Sequence, residues 1–338
     1  MTNRILEDPR IDPRIKAMFG HAPLPDLPDV PSREALLEIV AQAGTVDAQV
    51  ADAAPFEAFA SREGLEISTQ SVISHPDGNA INLQIIRPEA DQALPCVYYI
   101  HGGGMMMGSC FDPHMSAWGR LVAAQGVAVV QVDFRNCLTP SSVPEVAPFP
   151  AGLNDCVSGL CWVHDNAAAL GIDPRRIVVA GESGGGNLSL AVALKLKQDG
   201  DLGLIAGIYV MCPYLAGEAN LAPDSSETRN NGILMTPRTN LGATAYGIEQ
   251  LQARNPLAWP AFATEQDVAG FPPVAISVNE CDPLRDDGVD FYRLLQRAGV
   301  PARCKEVMGT IHATEVICLA CPDISREAAR ELAAFARG

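Results

Sequence analysis

The sequence predicts an α/β fold: a mostly parallel central sheet flanked by helices, with a helical cap. Three observations predict it. From residue 95 onward, short continuous apolar runs alternate with longer amphipathic stretches. Strands buried on both faces, separated by their covering helices, read this way. A glycine-bracketed serine, Gly181-Glu182-Ser183-Gly184-Gly185, sits between one such run and a helical pattern. Of the 338 residues, 48% are hydrophobic and 19% are charged, which is enough apolar surface for a large core.

The elements follow in chain order. Residues 1–60 are helical in pattern, rich in Pro, Asp and Ala, and have no evident place in a sheet, so they are expected to pack beside it. Within them, 32–43 is a helix that Ser32 caps, although Glu34 stands one position early for a capping box. Residues 66–73 and 80–87 alternate apolar and polar, and His75-Pro76-Asp77-Gly78 between them signals a hairpin turn. Six further strands are expected at 96–100, 127–134, 176–181, 204–211, 273–278 and 302–308. Helical patterns cover 114–125, 151–170, 186–199, 286–299 and 323–336. Residues 213–260 are too long for a crossover loop and hold only weak helical patterning at 238–252. They divide the core into 61–212 and 256–338, with 213–255 as a cap insertion.

Charge and cysteine narrow the function. Forty acidic residues against 24 basic ones give a formal charge of −16, which disfavours nucleic acid and anionic membrane surfaces. No apolar run approaches the roughly 18 residues of a membrane helix. Residues 1–20 carry charges throughout and lack the apolar stretch of a secretory signal. The ten cysteines are therefore expected as free thiols in the cytoplasm. Cys318 and Cys321 form a C-x-x-C pair with no second ligand pair, so no zinc site is expected.

The chemistry lies in four places. Gly181–Gly185 is G-x-S-x-G in a strand–turn–helix setting, a nucleophile elbow. Ser183 would sit on a strained turn, and side chains at 181 and 185 would collide with neighbouring backbone. His101-Gly102-Gly103-Gly104 directly follows a strand. Glycines there let backbone N–H groups turn into a cavity, as an oxyanion hole requires. No Lys-Ser/Thr follows, as a phosphate loop would want; Met105, Met106 and Met107 do, and are expected to line an apolar pocket. His101 is read as a loop-orienting group. With such an elbow the chain order is Ser, then acid, then His, and His312 is the one histidine after Ser183. For the acid, Asp282 stands in the loop after strand 273–278, with Glu280 as its rival. Asp286, Asp287 and Asp290 are assigned to the next helix, serving its N-terminal dipole or solvent.

These pieces together resemble the hormone-sensitive lipase family of α/β-hydrolases, the bacterial family IV esterases. The matching segments are HGGG at 101–104, VDFR at 132–135, PFPA at 148–151, Trp162, GIDPRRI at 171–177, GESGGG at 181–186, DPLRDDG at 282–288 and GTIH at 309–312. The resemblance implies an α/β-hydrolase fold and hydrolysis of carboxylic esters with short to medium acyl groups. It implies Ser183 as nucleophile, His312 as general base and Asp282 as its partner. It also implies the amides of Gly103, Gly104 and Gly184 as oxyanion donors, no metal or organic cofactor, a possible homodimer, and a cap built from the N-terminal segment 1–60 together with the insertion 213–255.

The departures bear on specificity. Much of the family has Asp and Ala flanking the serine, where this chain has Glu182 and Gly184. The loop 136–148 replaces a usual Tyr-Arg-Leu-Ala-Pro-Glu string and puts acyl preference in question. Thr314 stands where the family has an aromatic residue, which suggests a more polar wall. An amidase, lactonase or carbohydrate deacetylase could run on the same residues. A non-catalytic receptor of this family would lack the histidine, which is present here. The acidic chain is expected to favour neutral over anionic substrates.

Overall fold

The computed structural model describes residues 4–24, 28–43, 52–236 and 239–338. Its strands are β1 (Leu65–Ile73), β2 (Ala80–Pro88), β3 (Leu94–Ile100), β4 (Ala128–Asp133), β5 (Ile172–Glu182), β6 (Gly207–Met211), β7 (Val274–Asn279) and β8 (Ala302–Val307). They form one eight-stranded sheet in the order β1-β2-β4-β3-β5-β6-β7-β8. The β1–β2 and β2–β4 pairs are antiparallel and the others parallel. The helices are α1 (Pro13–Phe19), α2 (Arg33–Ala43), α3 (Ala53–Phe59), α4 (Pro113–Ala123), α5 (Ala151–Asp165), α6 (Gly184–Asp199), α7 (Ser226–Asn230), α8 (Leu241–Tyr246), α9 (Ile248–Gln252), α10 (Glu265–Val268), α11 (Arg285–Arg297) and α12 (Pro322–Arg337).

The period of two along a strand distributes side chains to two cores. In β3, Cys96, Tyr98 and Ile100 join the core shared with α5, α6 and α11. Val97 and Tyr99 join the other, with α4 and α12. Strands β3, β4, β6 and β7 are buried along their whole length, which is why each reads as a largely apolar run. The hairpin forms as expected, in register from Leu65↔Pro88 to Ile73↔Ala80, with Gly78 at φ 78° in its turn.

Several boundaries move for local reasons. β5 starts at Ile172 rather than 176, because Ile172 pairs with Leu94 ahead of an irregularity in the ladder. β6 starts at Gly207, since Leu202–Leu204 close a 3-10 turn before it. Helix α5 ends at Asp165, five residues early, where Asn166 leaves helical geometry at φ −103° and ψ 11°. The pattern at 238–252 resolves into α8 and α9, separated by Gly247 at φ 148°; residue 238 lies outside the described residues. Ser32 Oγ accepts the Ala35 amide at 3.2 Å, so the serine caps α2 without a box.

The N-terminal segment and the insertion touch each other. Asn240 accepts the Val30 amide at 2.9 Å and donates to the Val30 carbonyl at 2.8 Å. Arg33 donates to the carbonyls of Ala245 and Cys137. Helix α3 goes elsewhere and packs beside α4, where Arg120 donates to the Ala60 carbonyl at 2.7 Å. Both ends of the insertion meet at one side chain: Asn187 Nδ2 donates to the Tyr214 and Ala258 carbonyls at 2.9 and 3.1 Å.

Candidate active site

Ser183 stands between β5 and α6 at φ 55° and ψ −119°, a left-handed conformation that costs a non-glycine residue energy. The neighbouring glycines make that turn possible. A Cβ on Gly181 would lie 2.5 Å from the Ile100 carbonyl oxygen, and one on Gly185 would lie 2.0 Å from it. The Ser183 amide donates to the Met211 carbonyl at 2.9 Å, which ties the elbow to the end of β6.

His312 reaches Ser183 from the loop after β8. Its Nε2 lies 2.8 Å from Ser183 Oγ, and its Nδ1 lies 2.7 Å from Asp282 Oδ2. An ionised carboxylate only accepts, so Nδ1 carries the proton and Nε2 is left to accept from the serine hydroxyl. Asp282 is fully buried, and its Oδ1 accepts the Leu284 amide at 2.9 Å. Glu280 points elsewhere and accepts the Gly309 amide at 2.8 Å. Burial works to lower the His312 pKa, but the Asp282 charge and its hydrogen bond prevail and raise it well above the usual value.

The glycine loop faces the elbow. Gly103 and Gly104 have φ of 97° and 65°, and a Cβ on Gly103 would lie 2.1 Å from the Met107 carbonyl oxygen. On the elbow side, a Cβ on Gly184 would lie 2.6 Å from Met105 N and 2.8 Å from Gly104 N. The amides of Gly103, Gly104 and Gly184 have no hydrogen-bond partner among the described residues. His101 is buried, with Nδ1 2.8 Å from the Gly102 carbonyl and its ring stacked on Phe134 at 4.4 Å. Burial lowers its pKa below the usual imidazole value. The methionines divide: Met105 is buried in the core, Met106 packs against it in part, and Met107 is exposed.

Some roles differ from the sequence reading. The Thr314 hydroxyl does not make a polar wall. It donates to the Ile311 carbonyl at 2.7 Å and accepts the Ile311 amide at 3.1 Å, so the histidine turn uses it up. Asp286 and Asp287 serve neither solvent nor the dipole alone. Asp287 accepts the Leu215 and Ala216 amides, and Asp286 accepts the Ser226 amide, so α11 anchors the insertion. The loop 136–148 runs between the methionine turn and the α8 region: Cys137 N donates to the Met105 carbonyl, and next to the loop Phe149 N donates to the Tyr246 carbonyl.

Three buried residues escaped sequence reasoning. Glu182 accepts the Gly102 amide and the Tyr99 hydroxyl, and burial pushes its carboxyl up to about 7. Glu315 accepts from Ser277 Oγ and Asn279 Nδ2, each at 2.8 Å, and so ties the histidine loop to β7. Cys212, directly after β6, lies against His312. The acidity of Glu182 beside the serine was a visible signal for the first. For the others only residue type was visible, because their partners lie far off in the chain.

A family model described as alpha/beta hydrolase fold matches residues 97–316. Carboxylesterase NlhH of Mycobacterium tuberculosis is 34% identical over 254 residues, spanning 74% of this chain and 76% of that protein. A solved structure of esterase Est22 superposes with a TM-score of 0.94 at 54% identity, over 100% of both chains. That of brefeldin A esterase, a bacterial homologue of human hormone sensitive lipase, superposes at 0.85 with 33% identity, over 98% of this chain and 94% of that one. With its elbow, its glycine loop and its full-length likeness to that homologue, the chain belongs to the hormone-sensitive lipase family of α/β-hydrolases.

Proposed function

We propose that this esterase is a carboxylesterase for short- to medium-chain esters, working through an acyl-enzyme on Ser183, with His312 as general base and Asp282 as its partner. The observation that carries the reading is the unbroken chain from Ser183 Oγ to His312 at 2.8 Å and on to Asp282 at 2.7 Å. His312 Nε2 takes the serine proton as Oγ attacks the ester carbonyl. Asp282 holds the ring in the required tautomer and stabilises the imidazolium. The carbonyl oxygen, now negative, lies among the amides of Gly103, Gly104 and Gly184, at the N-terminus of α6. The alcohol leaves with the proton from Nε2. A water then repeats the sequence on the acyl-enzyme and frees Ser183.

The segments 1–60 and 213–255 are the cap in this reading, apart from helix α3, which packs away from it beside α4. Contacts between Val30 and Asn240 support their acting together. Among the described residues, the helices of the insertion are five, six and five residues long, which supports small acyl groups over a long apolar lid. All ten cysteines are free, in keeping with a reducing cytoplasm. No helix among the described residues is long and apolar enough to cross a membrane. The charge of −16 favours neutral esters.

The test is a panel of p-nitrophenyl esters from acetate to palmitate, run beside amides, lactones and acetylated sugars. The expected profile peaks at short esters and vanishes in Ser183→Ala. A peak on amides, lactones or acetylated sugars would reassign the reaction. Tight ligand binding by Ser183→Ala, with no turnover by the parent, would make the chain a receptor.

A further inference from the structure

We propose that Cys212, Asp282 and His312 form an inhibitory site for a thiophilic divalent cation of the zinc class, whose binding removes the general base. Among the described residues this is the group of three or more His, Cys, Asp and Glu side chains whose donor atoms all lie within 4.8 Å of one another. The donors are a sulfur, an imidazole nitrogen and a carboxylate oxygen, the set that zinc and its neighbours bind. Ligands around a tetrahedral zinc ion stand roughly 3.5 Å apart, given bonds of about 2.0–2.3 Å. Closing the present cluster onto an ion therefore takes side-chain shifts of about 1 Å.

The frame is held in place. The Cys212 amide donates to the Ser277 carbonyl at 2.7 Å, which fixes the thiol-bearing backbone beside β7. Asp282 is held by the Leu284 amide. All three residues are buried, while Ser183 is only partly buried and leaves an approach to the imidazole. Three protein ligands leave a fourth position for a water.

Inhibition follows from the ring chemistry. A neutral imidazole has one lone pair for the serine proton, at Nε2. Asp282 lies on the Nδ1 side of the ring, so an ion shared with it binds Nδ1 and displaces the proton there to Nε2, which then cannot accept. The Cys212 thiol gives up its proton to solvent as the metal–sulfur bond forms, and nothing is oxidised or reduced.

The inhibition rests on the carboxylesterase reading, so its test has two arms. In the first, Zn2+ is titrated against p-nitrophenyl acetate hydrolysis by the wild-type chain, Cys212→Ala, Cys212→Ser and Cys304→Ala, each scaled to its own metal-free rate. Zn2+ is expected to suppress the wild type and Cys304→Ala alike, with EDTA restoring both. The half-inhibitory concentration should rise at least about tenfold in both Cys212 variants. In the second arm, Co2+ replaces Zn2+ and its thiolate-to-metal absorption is recorded. The band should appear in the wild type and Cys304→Ala and be lost in both Cys212 variants. A wild type that Zn2+ leaves active, or a band and inhibition that survive loss of Cys212, would overturn the proposal. A Cys212-dependent band in a protein that hydrolyses no ester would instead sink the carboxylesterase reading.

Discussion

The Glu182 carboxylate accepts the Gly102 amide at 2.6 Å, so the residue in front of the serine holds the base of the glycine loop. Its second oxygen takes the Tyr99 hydroxyl. Glu182→Ala leaves both buried donors without a partner, at about 1–3 kcal/mol each. Urea denaturation should show a loss of at least about 2 kcal/mol, and kcat should fall. Glu182→Gln keeps an acceptor and should retain most of both. The carboxyl titrates at about 7 in the fold against 4.5 when free. Between those values the folded state holds a proton that the unfolded chain has released, so stability falls as pH rises from 4.5 to 7. Glu182→Gln should remove that slope, which parallel urea titrations across the window would reveal.

Gly184 is tested by adding one carbon. In Gly184→Ala the new Cβ would lie 2.6 Å from Met105 N and 2.8 Å from both Gly104 N and Gly104 Cα, all of them backbone. The glycine loop must move, and its donors with it. Loss of one oxyanion donor costs about 3 kcal/mol of transition-state stabilisation, or roughly 10²-fold in kcat. Steady-state kinetics should show that fall with KM little changed. A fully active variant would place the oxyanion elsewhere.

The pH–rate profile reports His312. The base must be neutral to take the serine proton, so kcat/KM should rise with pH through an imidazole pKa above the usual value of 6.5. Burial alone would lower that pKa; the Asp282 charge and hydrogen bond hold it up. Asp282→Asn should move the acid limb to lower pH and cut kcat by up to about 10⁴-fold. An unmoved limb would detach Asp282 from the base.

Ser183 carries strain at φ 55°, which glycine tolerates. Ser183→Gly should abolish turnover and stabilise the fold by about 1 kcal/mol. Chemical denaturation beside an activity assay checks both halves. A variant less stable than the parent would show the turn to be unstrained.

Glu315 acts through the histidine loop. Its carboxylate holds Ser277 and Asn279, and Asn279 Nδ2 also donates to Thr310 Oγ1 at 2.8 Å, two residues before His312. Glu315→Ala should lower kcat tenfold or more, in line with about 1–3 kcal/mol per orphaned group, and shift the acid limb as the His312–Asp282 bond loosens. Glu315→Gln, which can still bridge both partners, should restore the rate and the limb. Equal shifts in both variants would make the effect one of charge, not position.

The sheet was legible because parallel strands are buried on both faces and show as apolar runs, as in 96–100 and 273–278. The elbow and the glycine loop were legible because backbone crowding demands glycine at fixed spacing around Ser183. What stayed hidden depends on long-range pairing. Glu182 and Gly102 are 80 residues apart, and Glu315 and Ser277 are 38 apart. Periodicity reports which face of an element is apolar, and says nothing of which distant amide a carboxylate will find. Thr314 shows the same limit in reverse: its hydroxyl was spent three residues away, on Ile311.

The meeting of Tyr214 and Ala258 on Asn187 has an architectural consequence. A segment that leaves and returns at one side chain is a cassette. Its length can change at a small entropic cost, since closure entropy grows only slowly with loop length, and the elbow helix beneath it keeps its geometry. The cassette is not independent, however, because Asn240 is paired with Val30. Grafting a relative's insertion onto this scaffold therefore means carrying its N-terminal partner across as well, as one exchangeable unit.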